Sequence, residues 1–119
     1  MLTLTQSQIG ILTGEALLFA DFENGGPMWT GDGDREVRHK VVFEAPFAAA
    51  PAVTVTLSLI DMSRDAHIRA DLRAETITQL GFEIVFRTWD DSRIARIRVA
   101  WQAIGAAVTE EGWEDGGAA

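Results

Sequence analysis

Pro51-Ala52-Val53-Thr54-Val55-Thr56-Leu57-Ser58-Leu59 alternates apolar and hydroxyl-bearing side chains without a break. Successive side chains of an extended chain point to opposite faces, so Val53, Val55, Leu57 and Leu59 are expected to meet a core while Thr54, Thr56 and Ser58 meet water. A strand of this kind needs partners, and the sequence on both sides offers them. Ala66–Ala74 places Ile68, Ala70, Leu72 and Ala74 inward and His67, Arg69, Asp71 and Arg73 outward. After Gly81, Phe82, Ile84 and Phe86 alternate with Glu83, Val85 and Arg87, which puts Trp89 on the outer side. Asp90-Asp91-Ser92 reads as a turn. The chain then returns from Arg93 to Ile104, with Ile97, Val99, Trp101 and Ala103 on one face and Arg96, Arg98 and Gln102 on the other. Ile94 falls out of phase, as a β-bulge would make it. Upstream, Val41-Val42-Phe43-Glu44 is a further strand, ended by Pro46, which cannot donate to a ladder.

The N-terminal part is less periodic. Ala16-Leu17-Leu18-Phe19 reads as a short strand or as one turn of helix. Glu23–Asp34 is dense in Gly, Asn, Asp and Pro and is expected to be a long exposed loop. No amphipathic helix stands out. Five or six strands with turn signals between them predict an all-β domain, either an antiparallel β-sandwich or a small closed barrel.

At 119 residues and 13.0 kDa the chain is the size of one domain with one core. The absence of cysteine removes disulfides, thiolate metal sites and thiol nucleophiles together. Eighteen acidic against ten basic residues give a formal charge of -8, which repels phosphate backbones and argues against a nucleic-acid partner. Met1–Gly10 has neither the basic start nor the apolar block of a secretory signal, and no stretch approaches the ~20 apolar residues of a membrane span. The expectation is a soluble chain made in the cytosol, with no membrane insertion; whether it is later released stays open. Residues 106–119, with Glu110, Glu111, Glu114, Asp115 and a lone Trp113, are expected to be an acidic, flexible tail.

The sequence holds no nucleophile elbow, no histidine pair at metal spacing, no phosphate loop and no dinucleotide fingerprint, so neither an enzyme nor a metal or other cofactor is expected. Thr30-Gly31-Asp32-Gly33-Asp34 begins like a calcium loop but lacks the glutamate that closes one. His39 and His67 are the only imidazoles, and neither has a partner at a catalytic spacing. What remains is a carboxylate loop around Asp32, an arginine stripe that includes Arg69, and Trp89 at a strand end. Charged planar groups bond sugar hydroxyls directionally, and an aromatic face packs on the apolar side of a sugar ring. The same parts also suit a salt-bridge ladder and a tryptophan packed where two protomers meet.

Arg35-Glu36, Val42-Phe43-Glu44-Ala45-Pro46-Phe47, Pro51-Ala52-Val53-Thr54-Val55, Ile68-Arg69-Ala70, Leu80-Gly81-Phe82, Thr88-Trp89-Asp90-Asp91 and Val99-Ala100-Trp101, in that order, resemble the H-type lectin domain of snail agglutinins and the C-terminal domain of discoidins. The resemblance covers roughly residues 30–105, leaving 1–29 as an N-terminal extension able to supply an edge strand. It implies a six-stranded antiparallel β-sandwich that assembles as a homotrimer, sometimes a hexamer, with a shallow metal-free site between protomers for glycans ending in galactose or N-acetylgalactosamine. By position, it implies that Asp32 and Arg69 bind sugar from one protomer and that Trp89 packs on it from the next. Asp90 stands where the snail agglutinin has a histidine that helps hold the N-acetyl group, and a carboxylate accepts rather than donates. Ala95 stands where that site has an aromatic residue. Two functions follow as expectations: a lectin whose multivalency turns weak sites into avidity, or a structural or attachment subunit of a phage-like particle that uses the same fold.

Overall fold

A computed structural model describes residues 1–5 and 8–108. Six strands form two three-stranded antiparallel sheets: β1 (Ile9–Phe19), β6 (Ile94–Ala106) and β3 (Ala52–Met62) in the order β1-β6-β3, and β2 (Arg35–Val42), β5 (Gly81–Thr88) and β4 (Asp71–Glu75) in the order β2-β5-β4. The sheets stack face to face as a sandwich, not a barrel. Each central strand presents one apolar row to the other sheet: Phe82, Ile84 and Phe86 from β5, and Ile97, Val99 and Ala103 from β6, with Trp101 partly buried beside them. Phe86 meets Phe19 at 5.7 Å between ring centroids, and Phe82 meets Trp101 edge-on at 5.4 Å. Each fully buried large apolar side chain contributes about 1.5–3 kcal/mol, so these two rows hold the sandwich together. Among the described residues no helix is long and apolar enough to cross a membrane.

β1 explains why the N-terminal sequence shows so little pattern. Its alternation is regular and largely inverted: Ile9, Ile11 and Leu17 face outward, while Gly10, Gly14 and Ala16 face the core, with Leu12 among them. Small residues are required there because β6 and the β2–β3 connection send aromatic rings across. Gly14 pairs with Trp101, and a Cβ at Gly14 would lie 2.7 Å from the indole.

Three β-bulges correct the alternation read from the sequence. Ser58 is an extra residue in β3 between Leu57 and Leu59, so Leu59 pairs with Arg98 and Ile60 with Ile97; Leu59 is half-buried, and Leu57 and Ile60 are exposed. Leu18 is likewise extra in β1, opposite the next step of β6, between Arg98 and Ile97. Both edge strands therefore bulge on either side of Arg98, where an extra residue adds twist. The third bulge, at Ala95 in β6, is the one that Ile94 signalled; it buries both Ile94 and Ala95.

Two further expectations change. Of Ala66–Ala74 only the part from Asp71 onward is strand, in β4, and Ile68 is exposed in the preceding loop. Glu23–Asp34 is not one exposed loop, because two single-turn helices, α1 (Asp21–Asn24) and α2 (Pro27–Thr30), bracket it. Gly25 ends α1 in the left-handed region and Pro27 opens α2. The Asp21 carboxylate accepts from the Met28 N–H at 2.8 Å, and the Met28 side chain is buried. The tail with Glu110, Glu111 and Trp113 lies outside the described residues.

Candidate functional site

The end of the sandwich where β5 stops gathers the candidate residues. β5 ends at Thr88, Trp89 follows half-exposed, and Asp90 reverses the chain with φ +61°, a conformation that aspartate tolerates better than most residues. Next comes Ser92, fully buried. Its hydroxyl accepts from the Arg69 N–H at 2.9 Å and donates to the His67 carbonyl at 2.9 Å. The buried Thr88 hydroxyl donates to the Arg69 carbonyl at 2.5 Å. Both backbone groups of Arg69 are thus held by side chains from the end of β5 and from the turn after it. A loop residue outside any ladder is thereby fixed as firmly as one inside a strand.

The Arg69 guanidinium lies between two carboxylates, with Nη2 3.6 Å from Asp90 and Nη1 3.5 Å from Asp91. Nη1 is buried and makes no hydrogen bond. The exposed His67 ring approaches Asp91 at 3.7 Å.

Asp32 is carried to the same end by Arg35, the first residue of β2. Arg35 donates from Nε to the Gly33 carbonyl at 2.9 Å, from Nη1 to the Pro27 and Met28 carbonyls at 3.1 and 3.3 Å, and from Nη2 to the Asp90 carbonyl at 3.1 Å. The Gly33 N–H also donates to the Asp90 carbonyl at 2.9 Å. One guanidinium therefore ties α2, the Gly31–Asp34 loop and the Trp89–Asp90 turn together. Asp32 sits exposed at the loop's apex, before Gly33 at φ +73°.

Beside this junction an open cleft of about 510 Å³ is lined by Asp34, Arg35, Glu36, Arg87, Thr88 and Trp89. On its wall Glu36 accepts from Arg87 at 2.7 Å and from Arg38 at 2.8 Å. These two bonds, Arg87's first, hold the Glu36 carboxyl below the ordinary carboxylate range and raise both guanidiniums above theirs. The network continues over the outer face of β2-β5-β4, where Arg38 reaches Glu75 and Glu83, and Arg73 pairs with Asp71 at 2.8 Å. Val85 lies buried among these groups on that face.

Of the four residues singled out from the sequence, Arg69 and Asp90 are in contact, Asp32 stands on the loop bonded to Asp90, and Trp89 opens onto the cleft next to them. The arginine stripe is divided. Arg73 and Arg87 lie outside one sheet, whereas Arg96 and Arg98 lie outside the other, bonded to Asp61 and Ser58. One symmetry axis cannot run along both faces. Sequence reasoning missed Ser92 and Thr88, whose hydroxyls carry no sign of their partners, and it missed the four-carbonyl role of Arg35 and the ion pair made by Asp91.

Residues 38–104 match the H-type lectin domain. The chain is 52% identical over 108 residues to the protein of "ATP synthase subunits region ORF 7" from Fuscovulum blasticum, covering 91% of this chain and 94% of that one. It is 33% identical over 75 residues to a discoidin-1 polypeptide of Dictyostelium discoideum, covering 62% of this chain and 30% of the discoidin. The structure of wild-type discoidin II from the same organism superposes with a TM-score of 0.72 at 22% identity, over 84% of this chain and 38% of that one. The chain thus spans nearly all of the first relative but well under half of either discoidin.

Proposed function

Because the chain belongs to the H-type lectin family, we propose that it is a non-enzymatic carbohydrate-binding protein whose site is the Arg69–Asp90 end of the sandwich. The observation that carries this reading is the clamp on Arg69. Ser92 and Thr88 fix the backbone of a residue that no ladder holds, leaving its guanidinium beside the exposed Asp90, the residue that follows Trp89. Preorganised polar groups next to an aromatic face are what a sugar ring requires, since side chains already in place lose little entropy on binding.

In this reading Asp32 and Arg69 bond the hydroxyls of a terminal galactose-type sugar. Trp89 of an adjacent protomer packs on its apolar face, and a homotrimer presents three such sites. The outer face of β2-β5-β4 suits the threefold contact. Several of its charges are already paired within one protomer, as Arg38 with Glu36 and Arg73 with Asp71, which lowers the cost of burying them. Each site is shallow and weak, and retention on a glycosylated surface comes from engaging several at once.

The test is a glycan array run on the purified chain, with its mass measured by light scattering and with Asp32→Ala and Arg69→Ala controls. Arg69→Ala keeps the backbone bonds to Ser92 and Thr88, so loss of binding reports the guanidinium. Selective retention by a trimer, lost in both controls, is the expected result. A folded protein that retains no glycan sinks the proposal.

A further inference from the structure

β1 is an edge of its sheet, with β6 on one side and no strand on the other among the described residues. The Ala107 N–H donates to the Gln8 carbonyl at 3.2 Å, and the ladder keeps that register without a break from Ile9–Ala106 to Leu17–Arg98. Backbone groups alternate sides along an antiparallel strand. Gly10, Leu12, Gly14 and Ala16 therefore bond to β6, while Ile9, Ile11, Thr13, Glu15 and Leu17 turn their N–H and C=O groups to the open side. Among the described residues no hydrogen bond reaches the backbone of those five from beyond β6. The side chains of Ile9, Ile11 and Leu17 are each more than half exposed along the same edge. Sheets defend such edges with charges, shortness or bulges. β2 carries Arg35, Glu36, Arg38 and Lys40, β4 is five residues long with Asp71, Arg73 and Glu75 among them, and β3 is broken by its bulge at Ser58. β1 has none of these defences from Ile9 to Leu17. Its single charge, Glu15, is held by Arg98 at 3.5 Å.

We infer that this edge is a contact surface for a second copy of the chain, β1 pairing antiparallel with β1 about a two-fold axis at Thr13. Self-complementarity decides the occupant. Thr13 is the middle of the unbroken run, so this register pairs all of it, with Ile9 against Leu17 and Ile11 against Glu15 on the outer face. Shifting the axis toward Glu15 brings two like charges together, and shifting it toward Ile11 runs Leu17 past the partner's first residue. Centred on Thr13, the two Glu15 carboxylates stand ~14 Å apart along the strands, beyond a Debye length of ~8 Å. On the inner face Leu12 of the second copy lies opposite Gly14, which has no side chain to obstruct it. It meets there the cleft of about 170 Å³ that Leu12, Val42 and Trp101 help to line between the sheets. Pairing joins two three-stranded sheets into one of six strands. The contact is separate from the Arg69 end of the sandwich and stands whether or not that end binds sugar.

One strand edge is a small interface, so the pairing is expected to depend on concentration. Sedimentation equilibrium of the full chain, from low to high micromolar, should show the mass doubling. Over the same range, hydrogen exchange followed by NMR should slow at the amides of Ile9, Ile11, Thr13, Glu15 and Leu17, while those of Gly10, Leu12, Gly14 and Ala16 stay protected throughout. Thr13→Pro removes an N–H that β6 does not use, so the variant should fold and keep the lower mass. Ile11→Lys places a charge on the edge and should have the same effect. Thr13→Val, which keeps the N–H, should still double. A mass that does not change with concentration overturns the inference. So does a doubling that persists in folded Thr13→Pro and Ile11→Lys, or one that leaves the exchange of the five outward amides unchanged.

Discussion

The N–H of Arg69 donates to the buried hydroxyl of Ser92 at 2.9 Å, across 23 residues of sequence. That hydroxyl also donates to the His67 carbonyl, so one small side chain satisfies two backbone groups of a loop with no strand partner. Ser92→Ala would leave a buried N–H and a carbonyl without partners. The expected loss is about 1–3 kcal/mol of stability, read as a lower urea midpoint. Sugar retention should fall with it while the mass by light scattering is unchanged, because the lost bonds place Arg69 rather than the sheets.

Packing at the inverted strand gives a second expectation. Gly14→Ala puts a Cβ 2.7 Å from the indole of Trp101, which is itself wedged against Phe43 and Phe82. Relief requires the ring or the β1 backbone to move, and overpacking of this kind costs about 1–3 kcal/mol. Thermal unfolding should register the loss, accompanied by a change in tryptophan emission. An unshifted melting temperature would mean that β1 is not seated on Trp101.

Arg35→Lys keeps the charge and removes the fork. A lysine ammonium cannot serve carbonyls on three separate segments. The Gly31–Asp34 loop should then open more often, and the Gly33 amide, bonded to the Asp90 carbonyl, should exchange with solvent about ten-fold faster, equivalent to ~1.4 kcal/mol. Hydrogen exchange followed by NMR measures this directly. The β6 amides serve as the internal reference.

The Glu36 carboxyl is held below its unfolded value of 4.5 by Arg87 and Arg38. Such a group contributes stability that is fully present above the unfolded value and is lost as pH falls through the folded one. The urea midpoint of the native chain should therefore decline below about pH 4.5 more steeply than that of Glu36→Gln, which has no charge there to lose. The difference should be small, because the group is exposed to solvent and salt. Parallel curves for the two proteins would show that this network does not stabilise the fold.

How much was legible depended on where large side chains had to go. β5 and β6 announced themselves because Phe82, Ile84 and Phe86, and Ile97, Val99 and Trp101, are bulky residues pointing at the core. β1 stayed unreadable because Gly10, Gly14 and Ala16 occupy three of the four inward positions before its bulge, and the two glycines are there to leave room for the aromatic rings of Phe47 and Trp101. The pairing of Leu59 with Arg98 went unread because a bulge at Ser58 is a property of pairing with β6, which a single strand's sequence does not record. Asp32, Arg69, Trp89 and Asp90 could be picked out as types suited to sugar recognition. Nothing local in the chain said that a buried serine and threonine would fix one of them.

By itself, then, the sequence determined the all-β architecture, the apolar rows of the two central strands, the bulge near Ile94 and the family to which the chain belongs. These follow from local alternation and from the order of short motifs, both written along the chain. Tertiary structure alone decided the inverted strand β1, the bulges at Leu18 and Ser58, the division of the arginines between two outer faces, and the junction in which Arg35, Asp90 and Arg69 meet. Each of these depends on which backbone carbonyl, ring or hydroxyl lies opposite a residue. That is set by packing between segments tens of residues apart.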